Sequence, residues 1–314
     1  MKPAFRSILV LATSLALTGG TGAAWQATET SLAWEDDGRT VWQFNFDPQF
    51  AKTFFHPLSA GGGPALTESR PDDHRWHYGL WFSWKYINKA NYWEENRETG
   101  ISEGATSWSP PRIETRPDGA ATISLDLAYT HPSGRVDLVE ERRLVVSAPD
   151  ASDTYAIDWD SSFTAGVEGA TLGRTPMLGE PDGRVNGGYA GLGLRLRGRP
   201  AVYSVVSTEG AVDRFESNRA RPDAPALGLN FTEDGATAGA IAVLSASGNM
   251  PSGSTPWYLV NSDTMHWANP AVLAPAEKHL AAGGKWRLRY RIIVRPDAWT
   301  PEALRAALAA WKLD

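Results

Sequence analysis

The chain has no cysteine. That excludes a disulfide framework, a thiolate nucleophile and a lipid-modified cysteine, so the fold must rest on its own apolar core. No stretch is long and apolar enough to read as a membrane-spanning helix. An excess of positive charge is also missing. The net charge is −6, and more negative without Lys2 and Arg6, which argues against general nucleic-acid binding and against adsorption to an anionic membrane. There is no G-x-S-x-G elbow, so serine nucleophile chemistry is unsupported. The glycine-rich stretches 61–63 and 187–193 do not open helices and do not read as phosphate cradles. No internal repeat, Pro/Ser linker or charge run divides the chain.

The first residues have the layout of a secretory signal peptide. Lys2 and Arg6 are followed by a short apolar stretch over 8–17 and by the small residues Gly22-Ala23-Ala24. The expectation is a signal segment over 1–24, one domain over 25–314 long enough for one large core, and a periplasmic or secreted location.

What is abundant is tryptophan, with fourteen residues. Trp joins a broad apolar face to one N–H donor, which suits half-wet binding surfaces as well as cores, and a flat aromatic face matches the C–H face of a sugar ring. Strand patterns dominate. Trp42, Phe44 and Phe46 alternate with polar residues, as do Ile123, Leu125, Leu127 and Tyr129. Leu192, Leu194 and Leu196 alternate with Gly193, Arg195 and Arg197. Leu288, Tyr290 and Ile292 alternate with Arg287, Arg289 and Arg291. This is the period of half-buried antiparallel strands. Turn signals such as Asp36-Asp37-Gly38 and Pro117-Asp118-Gly119 separate them. One helix is expected near the end, with Thr300 as N-cap, Pro301 in the first turn and Leu304, Leu308 and Trp311 as an apolar stripe lying on the outside of a sheet. The fold class is therefore all-β: an antiparallel β-sandwich, jelly-roll or galactose-mutarotase-like, with one C-terminal helix.

Candidate chemistry concentrates between His56 and Glu95, most densely in Arg70-Pro71-Asp72-Asp73-His74-Arg75-Trp76-His77-Tyr78-Gly79. Three readings compete. In the first, His74 or His77 is a general base or acid, its tautomer fixed by Asp72 or Asp73. Arg70 or Arg75 holds an anionic group, and Glu94 or Glu95 is a second acid/base group. In the second, His74 and His77 hold a divalent metal such as zinc, with His56, His266 or Asp73; H-x-x-H in a loop is a weak motif for that. In the third, these residues are satisfied packing groups. A second cluster, Pro256-Trp257-Tyr258 followed by Met265-His266-Trp267-Ala268-Asn269-Pro270, repeats the mix of polar and aromatic residues. A third, Arg174 with Tyr189 and Arg195, reads as structural. The candidate substrate-binding set is His56, Arg75, Trp76, Tyr78, Trp81, Trp93, Trp257, His266 and Asn269.

Several blocks resemble the PmoA-like family of unknown function: Phe55-His56-Pro57-Leu58, Asp73-His74 through His77-Tyr78-Gly79-Leu80-Trp81-Phe82, and Asn91-Tyr92-Trp93-Glu94. The stretches from Gly187-Gly188-Tyr189 to Leu196 and from Trp257 to Pro270, and Leu288-Arg289-Tyr290-Arg291, are similar to its later blocks, so the resemblance runs from near Phe50 to the end. The family label borrows the name of a methane monooxygenase subunit; that subunit is an integral membrane protein, and its activity is not carried over. The resemblance implies a secreted β-sandwich protein of bacteria that degrade plant or algal polysaccharides. It points to His56, His74, His77 and Glu94. Trp76 and Tyr78 stand near places where the family pattern has a further His and an Arg, which puts a three-histidine metal site in doubt.

The functional expectation is a secreted carbohydrate-active enzyme with an oligosaccharide substrate, working by elimination or dehydration on a uronic acid or by glycoside hydrolysis. A non-catalytic carbohydrate-binding protein is the alternative. A deep pocket with converging His, Arg and carboxylate would favour the enzyme, and a flat Trp platform the binding protein.

Overall fold

The computed structural model describes residues 22–199 and 202–311. The expected signal segment falls outside the described residues except for its last three. One large antiparallel sheet runs in the order Ala24–Ala27, Ser31–Asp36, Arg39–Asn45, Phe54–Leu58, Leu80–Ser83, Gly191–Leu196, His266–Pro270, Thr255–Asn261 and Arg219–Ala220. A second runs Gly210–Ala211, Val202–Ser207, Ala226–Glu233, Ala236–Ser245, Lys285–Arg295, Tyr155–Ala165, Val136–Val146, Ala121–Thr130 and Ala105–Trp108. A small third sheet joins Lys278–Leu280, Ala170–Gly173, Tyr86–Ile87 and Ala90–Asn91.

The expected alternation explains how the two large sheets meet. Trp42, Phe44, Leu192, Leu194 and Leu196 of the first share one core with Ile123, Leu125, Tyr129, Leu288, Tyr290 and Ile292 of the second. Burying each such side chain contributes about 1.5–3 kcal/mol, which is what a cysteine-free chain has to rely on. The outward Arg287 and Arg291 pair across the strand with Asp160 and Asp158; being partly exposed, these pairs add little. The helix Pro301–Ala310 is capped by Thr300, whose side chain accepts from the Ala303 N–H at 3.2 Å. Leu304, Leu308 and Trp311 pack on Ala226, Ala240 and Ala242, so the helix lies on the outer face of the second sheet. The antiparallel sandwich with one C-terminal helix is therefore the observed architecture.

The first sheet departs from a simple half-buried pattern, because its middle strands are covered on both faces. Leu80, Phe82, Leu192, Leu194, Trp257 and Leu259 point into the main core. On the opposite face Phe54, Trp81, Tyr258, Val260 and Trp267 form a second apolar layer with Tyr78, Trp93 and Tyr189. Gly193 makes room for it: a Cβ there would lie 2.7 Å from the Trp81 ring. Arg195, outward by alternation, is only 2% exposed because the loop ahead of Leu80 folds over it.

Candidate functional site

A cavity of about 220 Å³ opens in this second aromatic layer. Trp76, Trp93, Tyr258 and Trp267 give it flat walls, and His74, His77, Glu94, Asn186, Tyr189, Arg219 and Met265 complete the lining.

Two successive turns place the histidines. The His74 N–H donates to the Pro71 carbonyl at 3.0 Å and the His77 N–H to the His74 carbonyl at 2.9 Å. The loop then reaches Leu80 through Gly79, whose φ of +80° and close approach to the Phe55 carbonyl require glycine. The His74 Nδ1–H donates to Asp73 Oδ2 at 2.8 Å, a tautomer assigned from its carboxylate partner, so Nε2 is left as the basic nitrogen. Asp73 is itself held by Arg195, with Nη2 3.2 Å from Oδ1. Burial works to raise the Asp73 carboxyl, but the His74 hydrogen bond and the Arg195 charge outweigh it and keep it below the usual range. Arg195 also donates to Glu68 at 3.0 Å and to the Thr264 carbonyl at 2.9 Å. One buried cation thus fixes both the histidine loop and the turn that carries Met265.

His77 is packed between rings, 4.7 Å from His74, 5.0 Å from Trp81 and 5.8 Å from Trp267. Burial, and then the neighbouring positive groups, hold its pKa well below the ordinary value. It is a neutral imidazole at physiological pH, and its buried Nδ1 has no hydrogen-bond partner among the described residues. His74 and His77 therefore share the cavity wall but differ in chemistry: only His74 has a carboxylate partner.

Glu94 forms another part of the wall. Its Oε2 accepts from Lys85 and, at 2.6 Å, from Asn91; its Oε1 accepts from the Tyr189 hydroxyl at 2.7 Å. Burial pushes the carboxyl up, but Lys85 and these hydrogen bonds more than offset that, and the group is held ionised below its usual range. The glycine turn read as structural thus carries Tyr189, which holds Glu94.

The remaining candidates lie elsewhere. Arg70 is taken up by Glu95 at 3.0 Å and by the Tyr78 hydroxyl, and Tyr78 donates to Glu95 at 2.5 Å; neither lines the cavity. Arg75 is exposed and pairs with Asp72 at 3.1 Å. Trp81 is fully buried beneath the site. His56 hydrogen-bonds Thr67 at 3.0 Å and is pushed down to about 4 by burial, away from the cavity. Trp257 faces the main core and donates to the Ala224 carbonyl. Asn269 ties down the Ala190 and Leu192 carbonyls. His266 packs on Tyr203 and lines a separate groove with Arg199 and Asp263. The metal set His56, His74, His77 and His266 is thus not brought together. Among the described residues no group of three or more His, Asp or Glu is arranged to hold a metal ion.

In the second cluster the cavity is lined by the neighbours of the expected residues. Tyr258 and Trp267, one position from Trp257 and His266, are the residues on the cavity face. Their shared face follows from the register, which sets Tyr258 opposite Asn269 and Val260 opposite Trp267. Asn186 and Arg219 come from isolated loop and edge positions with no local signal.

The fold and site define an antiparallel β-sandwich with an aromatic cavity, lined by two histidines and a carboxylate, on the outer face of one sheet. The chain belongs to a family of unknown function (DUF6807), whose model matches residues 31–309. The expected membership of an uncharacterised family holds at that level; the match carries this designation and not the PmoA-like one. No curated protein matches the chain. Among solved structures, a putative aldose 1-epimerase from Klebsiella pneumoniae is 7% identical with a TM-score of 0.48, covering 93% of this chain and 85% of that one. An α-galactosidase from Lactobacillus brevis is 10% identical with a TM-score of 0.46, covering 88% of this chain and 39% of that one. A GH36 α-galactosidase from Geobacillus stearothermophilus is 8% identical with a TM-score of 0.48, covering 88% and 41%. The chain spans about two fifths of the length of these two α-galactosidases. The likeness is one of β architecture alone.

Proposed function

We propose that this protein is a carbohydrate-active enzyme whose cavity takes one sugar unit of an oligosaccharide, with His74 as general base. The observation that carries this reading is the convergence of the Asp73–His74 pair and ionised Glu94 on one cavity walled by Trp76, Trp93, Tyr258 and Trp267. At about 220 Å³ the cavity is smaller than those that hold drug-sized ligands, about 300–1,000 Å³, and suits a single ring better than a chain. With a signal segment over 1–24, the enzyme works in the periplasm or outside the cell.

The residues favour elimination or dehydration over hydrolysis. Hydrolysis by paired carboxylates needs a protonated acid and a second carboxylate across the bond. Among the described residues Glu94 is the one carboxylate on the lining, and it is held ionised, the wrong direction for an acid. Its neighbour Glu95 is sealed against Lys52 and Arg70. In elimination, His74 Nε2 takes a proton from a sugar carbon acidified by an adjacent carbonyl or carboxyl group. The C–H electron pair becomes the new double bond, the C–O bond to the leaving group breaks, and the departing oxygen recovers the proton from the imidazolium. Asp73 stabilises that imidazolium, and Glu94 accepts a hydrogen bond from a ring hydroxyl.

The test is incubation with a panel of neutral and acidic oligosaccharides, followed by mass spectrometry and by the ultraviolet absorbance of unsaturated sugars. A product lighter by one water, or an unsaturated fragment, that disappears in a folded His74→Ala variant supports the reading. Fragments that have gained water would replace elimination by hydrolysis. Sugar-dependent Trp fluorescence with no product would establish the second reading, a non-catalytic carbohydrate-binding protein, which the aromatic lining also suits.

A further inference from the structure

We propose that Arg219, backed by Arg221 on the Tyr258 ring, forms a carboxylate-reading subsite at this cavity, so that the sugar it takes is a uronic acid; this rests on the carbohydrate reading above. Arg219 lines the cavity. Its Nε donates to the Tyr258 hydroxyl at 3.0 Å and its Nη1 to the Ser217 carbonyl at 2.8 Å, while Nη2 has no hydrogen-bond partner among the described residues. Arg221 lies over the Tyr258 ring, 4.2 Å from its centroid, and donates to the Val185 and Gly187 carbonyls at 3.1 and 2.7 Å. Every partner of the two guanidinium groups is neutral.

Arg135, Arg197, Arg287 and Arg291 by contrast hold carboxylates, while Arg39 and Arg295 donate to backbone carbonyls as this pair does, but away from the cavity. With a net charge of −6 there are acids to spare. Within the site the other charges are already matched, Glu94 by Lys85 and Asp73 by Arg195. The two arginines share Tyr258 without a counter-ion. The Arg221 guanidinium is lowered first by burial, with Arg219 and Arg174 adding repulsion. An incoming anion would relieve this, and a planar carboxylate fits the guanidinium fork. Neutralising a uronate carboxylate also acidifies the C–H beside it, which is the proton the proposed elimination removes.

The experiment is calorimetric titration of the intact protein with glucuronate and galacturonate, with glucose and galactose, and with a sulfated neutral sugar, repeated on Arg219→Gln, Arg219→Lys and Arg221→Gln. The expected result is tighter binding of a uronate than of its neutral counterpart. Arg219→Gln should weaken that binding roughly 10- to 100-fold, the worth of one charge-assisted hydrogen-bonded contact. The preference for a uronate over its neutral counterpart should fall by the same factor, and Arg219→Lys should fall between. Uronates that bind no better than neutral sugars would overturn the inference and leave the carbohydrate reading standing. A preference for the sulfated sugar would overturn the carboxylate assignment. Failure of every sugar to bind would remove the carbohydrate reading and this inference with it.

Discussion

Glu140 and Glu94 are held by the same kinds of group in two regions of the molecule. Inside the sandwich, Glu140 accepts from Arg142 at 2.6 and 2.8 Å, from the Tyr129 hydroxyl at 2.6 Å and from Ser161 at 2.6 Å. On the outer face of the first sheet, Glu94 accepts from Lys85, Asn91 and Tyr189. Glu95, the next residue, resembles Glu140: Lys52, Arg70 and Tyr78 enclose it. The side chains of Glu140 and Glu95 are 0% and 1% exposed, whereas that of Glu94 is 27% exposed. A cation and a tyrosine therefore surround all three carboxylates. What sets Glu94 apart is its exposure beside His74 on the aromatic cavity.

The largest way to break this comparison is Arg142→Ala. It leaves Glu140 charged and buried with no cation, and stability should fall by about 3–5 kcal/mol, read as a lowered urea midpoint. Glu95→Ala should follow at about 3 kcal/mol. Burial already draws Lys52 below its ordinary pKa, with Glu95 the main offset, so the abandoned ammonium loses its proton more easily and the loss is softened. If either variant melts like the parent, these clusters are not what locks the interior.

Acid should act on the buried imidazoles and on Glu94 in the same direction but at different pH. His56 is pushed from 6.5 to about 4 by burial, and His77 and His266 are also lowered. These imidazoles are neutral in the fold, while the unfolded chain binds protons from 6.5 downward. Their contribution is complete above that value and is lost as pH falls through each folded pKa, about 4 for His56. Glu94 has a depressed folded pKa, so its contribution survives to lower pH and disappears only as the solution falls below the ordinary carboxylate range. The His56 share is on the order of 2 kcal/mol. Urea midpoints at pH 7.5 and pH 5 should differ, and His56→Gln should narrow the gap; an unchanged gap would mean that His56 is charged in the fold.

How much of this could be read from the sequence depends on which periodicity carried the information. The strands around Trp42, Ile123, Leu192 and Leu288, and the capped helix after Thr300, rest on local alternation or capping, and the structure has them where expected. The segment 70–78 stood out because no packed strand needs such a composition. At Trp257 and His266 alternation gives two faces but does not say which one a cavity takes when both are covered. Nor does it show that Arg195 is buried, since the loop that covers it is distant in sequence. Arg219 and Asn186 carry no local signal, because only the sheet order brings them to His74.

The smallest expected change in stability comes from Glu94→Gln, and it is the one that sharpens the comparison most. Glutamine keeps the shape, its carbonyl oxygen can still accept from the buried Lys85, and the ammonium keeps its place over the Tyr86 and Tyr189 rings, so the loss should be about 1–2 kcal/mol. Turnover should nevertheless fall about 100-fold or more if the carboxylate orients a substrate hydroxyl or shares in proton transfer. The same substitution at Glu140 should reverse the balance, costing stability with little effect on the turnover of the protein that remains folded. Urea melts and turnover measured on both variants separate the two roles. Equal stability losses at the two positions would mean that Glu94 is a structural carboxylate that happens to border a cavity.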